Sequence, residues 1–122
     1  MIATNSKFQQ YKITALCRQV QEKHLCYKRW KQSLQVAQEA AIFLKQHFQV
    51  KKVICFGSIL HSDRFTLVSD IDLATEGLDP EQFFRAVAEL QDLSPEFKID
   101  LVDIDCCRSS LRNAILLEGK IL

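Results

Sequence analysis

The chain has 122 residues, 48% hydrophobic and 25% charged, with a formal net charge of +1, the composition of one small folded domain rather than a disordered or multidomain chain. No apolar run approaches the ~18 residues that span a bilayer, and Met1-Ile2-Ala3-Thr4-Asn5-Ser6 lacks a signal-peptide core, so a cytoplasmic protein without membrane contact is expected. Cys17, Cys26, Cys55, Cys106 and Cys107 form no Cys-x-x-Cys pair, which argues against a disulfide framework or a zinc site.

From Tyr11 to Phe48 neither Gly nor Pro occurs. Ile13, Leu16, Cys17, Val20 and Leu25, then Trp30, Leu34, Ala37, Ala41, Leu44 and Phe48, recur mostly at steps of three and four, which predicts one long amphipathic helix or two consecutive ones. Residues 1–50 hold eight Lys or Arg against two Glu, whereas residues 51–122 hold eight against thirteen Asp or Glu. The basic face made by Lys7, Lys12, Arg18, Lys23, Lys28, Arg29 and Lys31 could meet nucleic acid, an acidic protein or a triphosphate. Such a run is more commonly a solvated helix face, so direct nucleic-acid binding is not expected.

Lys51 to Phe56 reads as a short buried strand in which Cys55 is a small core residue. Gly57 then permits a tight turn or a close approach to a ligand. Ser58 is expected to start a helix, where free backbone N–H groups, the helix dipole and a hydroxyl favour an anion such as phosphate. The stretch Asp63 to Val68 is apolar enough to suggest packing on a partner. Next comes Asp70-Ile71-Asp72 in an apolar run. Strand alternation aims Asp70 and Asp72 to one face while Ile71 and Leu73 enter the core.

Gly77 ends that strand. Asp79-Pro80-Glu81-Gln82 starts a helix, with Asp79 capping, Pro80 at the first position and Gln82 reaching back, and the helix runs to about Leu90. Leu93-Ser94-Pro95-Glu96 breaks it, Phe97 to Ile104 forms a strand, Cys106-Cys107 makes a turn, and Ser109 to Leu117 a helix. Glu118 to Leu122 adds a short last strand. This alternation predicts an α/β domain with a mixed sheet.

A lone Asp-x-Asp is common at solvated strand ends. With Gly57-Ser58 before it and Asp100 on a later strand, it becomes a candidate Mg²⁺ site, since that ion takes carboxylate oxygens and leaves room for water and substrate phosphates. Asp100 and Asp103 are an odd number of steps apart, so only one of them can face the site.

The runs Val53-Ile54-Cys55-Phe56-Gly57-Ser58, Ser69-Asp70-Ile71-Asp72-Leu73-Ala74 and Lys98-Ile99-Asp100-Leu101-Val102 resemble the minimal nucleotidyltransferases (MNT proteins) of the DNA polymerase β superfamily. The likeness covers roughly residues 30 to 122. It implies a small polymerase β-like domain over residues 29–122, with residues 1–28 as an N-terminal helical extension. By resemblance, Asp70, Asp72 and Asp100 are the catalytic carboxylates and the ligands of two Mg²⁺ ions, Asp100 being preferred to Asp103. Gly57, Ser58, His61 and Ser69 make the nucleotide-binding surface. His61 stands where many members carry arginine, and a histidine is mostly neutral at physiological pH.

The chain as read has no second domain to enclose an acceptor. Minimal nucleotidyltransferases of this kind work beside HEPN-domain ribonuclease toxins. The resemblance therefore implies an antitoxin that transfers AMP from ATP to a toxin tyrosine, as a homo-oligomer or in a hetero-oligomer with the toxin. Two alternatives stay open: neutralisation of the HEPN protein by binding alone, and transfer to RNA or a small molecule at a homodimer cleft.

Overall fold

The computed structural model describes residues 2–122, with side chains described from residue 7 onward. The absence of helix breakers in the first third is realised as one helix, α1 (Ile2–Phe48), about 70 Å long at 1.5 Å per residue. Its C-terminal half buries Ser33, Ala37, Ala40, Ala41, Leu44 and Phe48. These small and branched residues let the helix lie close on the sheet. Gln49, at φ 52°, ends the helix in the left-handed region.

Four strands follow: β1 (Lys52–Phe56), β2 (Ile71–Glu76), β3 (Ile99–Asp103) and β4 (Lys120–Ile121). They form a mixed sheet in the order β3-β2-β1-β4, with β1 antiparallel to β2 and β4, and β3 parallel to β2. The parallel pair needs a crossover, supplied by α2 (Phe83–Leu93). The last helix, α3 (Ser109–Glu118), leads into β4.

Alternation along the strands divides the core. Val53, Cys55, Ile71, Leu73 and Ile99 face α1 and α2, whereas Ile54, Ala74 and Ile104 face the other way with Ile115 of α3. Asp72 and Ala74 lie two residues apart on β2 and so share the α3 side of the sheet.

Two local expectations are corrected. Ser58 begins no α-helix, because Gly57–Leu60 is a single 3-10 turn after which His61 is already extended. The stretch after it is divided: Phe65 is buried in the domain's own core, whereas Leu67 and Val68 are exposed. Ahead of α2, Asp79 caps a short 3-10 turn (Pro80–Gln82), its Oδ1 accepting from the Glu81 amide at 3.0 Å. Gln82 makes no side-chain capping bond.

Candidate active site

The strand register brings the carboxylates together. Asp72 is the Cα partner of Phe56 on β1 and of Asp100 on β3, so the central strand carries it between the Gly57-Ser58 turn and the third aspartate. Asp70 immediately precedes β2, and Asp70, Asp72 and Asp100 are all half-buried. Asp103 is three steps along β3, opposite Thr75. It is buried, and its Oδ1 accepts the Asp105 amide at 3.0 Å, which ties down the turn after the strand.

Electrostatics records the crowding. Burial, and then the charges of Asp100 and Asp70, push the Asp72 carboxyl up from 3.8 to about 6, with Lys98 pulling the other way. Lys98 Nζ lies 3.7 Å from Asp100 Oδ1, and both side chains are substantially exposed, so this pair holds Asp100 only loosely. Such a carboxylate set suits a hard cation. Among the described residues no group of three or more His, Cys, Asp or Glu side chains is placed to hold a metal ion without further ligands.

Gly57 completes this arrangement from β1. With φ at 80°, its bare α-carbon lies so close to Asp72 that a Cβ would stand 2.5 Å from Asp72 Oδ2. The backbone thus turns directly over the carboxylate. Ser58 is half-buried and its carbonyl accepts the His61 amide at 3.1 Å, closing the turn. His61 is exposed at the turn's end. Ser69 holds the preceding loop: its Oγ accepts the Thr66 amide at 2.8 Å.

Two residues that the sequence reading did not assign to the site also brace it. Trp30 Nε1 donates to the Ile59 carbonyl at 2.8 Å, anchoring the 3-10 turn to α1. Arg29 Nη2 donates to the Ser69 carbonyl at 3.0 Å, and its guanidinium centre lies 4.2 Å from the Phe97 ring centroid and 5.8 Å from that of Phe65. In sequence Arg29 is one basic residue among many. Its partners lie 36 to 68 positions away, so no local signal distinguishes it.

Residues 38–122 match the family described as polymerase beta nucleotidyltransferase. The chain belongs to that nucleotidyltransferase family. Among solved structures the fold is similar to a toxin–antitoxin complex with AMP-PNP (TM-score 0.55, 23% identity, covering 68% of this chain and 69% of the other). It is also similar to the toxin–antitoxin MntA-HepT (0.54, 20%, 72% and 69%). A third is a tri-AMPylated Shewanella oneidensis HEPN toxin in complex with MNT antitoxin (0.55, 19%, 73% and 70%). At these identities the likeness establishes a polymerase β-like nucleotidyltransferase fold. No curated protein matches the sequence. In this nucleotidyltransferase-family chain no described helix is long and apolar enough to cross a membrane.

Proposed function

We propose that this chain is a protein adenylyltransferase that moves AMP from ATP to a tyrosine hydroxyl of a HEPN-domain toxin, acting in the cytoplasm as its antitoxin. The observation that carries the reading is the packing of Gly57 directly over the Asp72 carboxylate, with Asp100 in register beside it. A triphosphate laid on the Gly57-Ser58 turn would meet these carboxylates at once. The resemblance to MNT proteins, and the toxin–antitoxin complexes that share the fold, supply the partner and the acceptor chemistry. In this reading residues 29–122 are the catalytic unit and residues 1–28 a helical extension.

Asp70, Asp72 and Asp100 would hold two Mg²⁺ ions, whose charge would offset both the burial of the Asp72 carboxyl and its repulsion by Asp100 and Asp70. Bound Mg²⁺ would neutralise charge on the triphosphate and on the departing pyrophosphate. Ser58 Oγ and the turn's amides orient phosphate oxygens, with His61 and Ser69 at the margins. The tyrosine oxygen forms a bond to the α-phosphorus, the α–β phosphoanhydride bond breaks, and pyrophosphate leaves with the bonding pair. Asp100 takes the hydroxyl proton.

The exposed His61, in the place of the family's usual arginine, favours a second reading in which binding alone silences the toxin. Mass spectrometry of a HEPN-domain protein, where one is encoded beside this chain, after incubation with the chain, ATP and Mg²⁺, tests both. A gain of one or more AMP units, absent with Asp70→Ala/Asp72→Ala, supports transfer. A tightly bound but unmodified partner supports binding alone.

A further inference from the structure

We infer that the N-terminal part of α1 is a docking arm that takes an acidic helical face of the acceptor protein and seats it beside the active site. This deepens the protein-acceptor reading above and rests on it. The apolar positions Trp30, Leu34, Ala37, Ala41, Leu44 and Phe48, which pack on the domain, alternate in steps of four and three. The same alternation runs on toward the N-terminus through Tyr27, Lys23, Val20, Leu16 and Ile13. There the domain has ended, and Ile13, Leu16, Val20 and Tyr27 are 60%, 59%, 67% and 47% exposed. One continuous seam thus has a covered half and a bare half, and the bare half precedes residue 38, where the family match begins.

The place of the arm gives the occupant its purpose. Between the arm and the loop that leads to Asp70 lies a crevice of about 780 Å³, lined by Lys23, Cys26 and Tyr27 on one side and Asp63, Phe65 and Thr66 on the other. A helix laid along the seam would touch that loop and so approach the carboxylates.

Charge selects the partner. From residue 7 to residue 31 the chain carries seven Lys or Arg against Glu22 alone. All of these Lys and Arg residues but Arg29 are exposed; Lys23 lies within the seam and Lys12 and Lys31 directly beside it, whereas Lys7, Arg18 and Lys28 project from the other faces of the helix. A second copy would bring the same basic flank and repel it, whereas an acidic face would pair with it. The seam is narrow and interrupted by Lys23, unlike the broad apolar face that an interfacial helix buries in lipid.

The test measures Kd for the HEPN-domain protein by calorimetry, and AMP transfer by mass spectrometry, on the full chain and two variants, Ile13→Asp/Val20→Asp and Lys12→Glu/Lys23→Glu. All four positions are exposed, and an unchanged melting temperature confirms the fold. Both variants are expected to weaken binding at least about tenfold. The charge reversal should lose its effect as ionic strength rises. A Kd unchanged in both variants overturns the arm and leaves the function standing. Weakened binding with no AMP transfer by the unaltered chain supports the arm and removes the adenylyltransferase reading, and no binding by the unaltered chain removes both. A dimer, or binding to anionic vesicles, that the first variant abolishes while Kd is unchanged assigns the seam to a second copy or a membrane and overturns the proposal.

Discussion

Arg29 on α1 donates to the carbonyl of Ser69, the residue directly before Asp70, at 3.0 Å. A helix that begins ahead of the family match therefore fixes the entry of the aspartate strand. The guanidinium sits over Phe97 and near Phe65, so its planar shape contributes as well as its charge. Arg29→Ala should lower stability by about 2 kcal/mol, the sum expected for a charged hydrogen bond and a stacked cation. Arg29→Lys should recover little of this, since an ammonium cannot both stack and reach the carbonyl. Urea unfolding of the two variants reads this directly. If the loop positions Asp70, AMP transfer should fall in Arg29→Ala even at temperatures where it stays folded.

The approach of Gly57 to Asp72 gives a second prediction. At φ 80° any other L-residue costs about 1–2 kcal/mol in backbone strain alone. Gly57→Ala adds a methyl group 2.5 Å from Asp72 Oδ2, which must move. Gly77→Ala is the control: its φ is 85°, but its methyl meets the flexible Lys51 side chain at 2.9 Å, beyond the opposite end of β2 from Asp72. Both variants should lose stability by similar amounts in thermal melts. Only Gly57→Ala should also lose binding of a non-hydrolysable ATP analogue.

The raised Asp72 carboxyl predicts a pH dependence with a definite sign. Its folded value near 6 lies above its ordinary 3.8, so between these values the folded state holds more proton than the unfolded one. Stability from this group is present below about pH 4 and is lost as pH rises through 6. Partial exposure reduces the effect to about 1 kcal/mol. Asp72→Asn should therefore stabilise the metal-free protein by about that amount at pH 7 to 8 while abolishing AMP transfer. Mg²⁺ should raise the melting temperature of the unaltered chain at pH 7.5 and leave that of Asp72→Asn nearly unchanged. Equal stabilisation of both by Mg²⁺ would place the ion elsewhere.

The parts of this molecule legible in the sequence are those set by short-range periodicity. The three- and four-residue steps through Leu34, Ala37, Ala41 and Leu44 gave a helix, and the apolar run Val53 to Phe56 a strand. The Gly57-Ser58 and Asp70-Ile71-Asp72 runs carry the family resemblance. Hidden were the features that depend on what comes together in space. Alternation does not reveal that β3 lies parallel beside β2, yet that register sets Asp100 opposite Asp72. Ser58 looked like a helix start because a turn glycine precedes it. The segment instead makes one 3-10 turn, held by Trp30, and then a second turn in which the His61 carbonyl accepts the Arg64 and Phe65 amides, which buries Phe65. Arg29 was invisible for the same reason, since the rings that hold it are remote in sequence.

The choice between the two aspartates of β3 gives the last prediction. Asp100 is half-buried, in register with Asp72, and paired only loosely with Lys98 at 3.7 Å. Asp103 is buried and receives the Asp105 amide, while its own carbonyl accepts the amides of Cys106 and Cys107 at 3.1 and 3.0 Å. One carboxylate thus lies beside Asp72 and the other shapes a turn. Asp100→Asn should leave unfolding within about 0.5 kcal/mol of the parent, as for a partly exposed group with one weak ion pair. It should cost at least about a hundredfold in AMP transfer, the usual scale for losing a proton acceptor. Asp103→Ala should lose about 1–2 kcal/mol, because the Asp105 amide is left without its acceptor. Whatever fraction remains folded should keep most of its activity. Single-turnover transfer rates normalised to folded protein separate the two, and a reversal would assign the third carboxylate to Asp103.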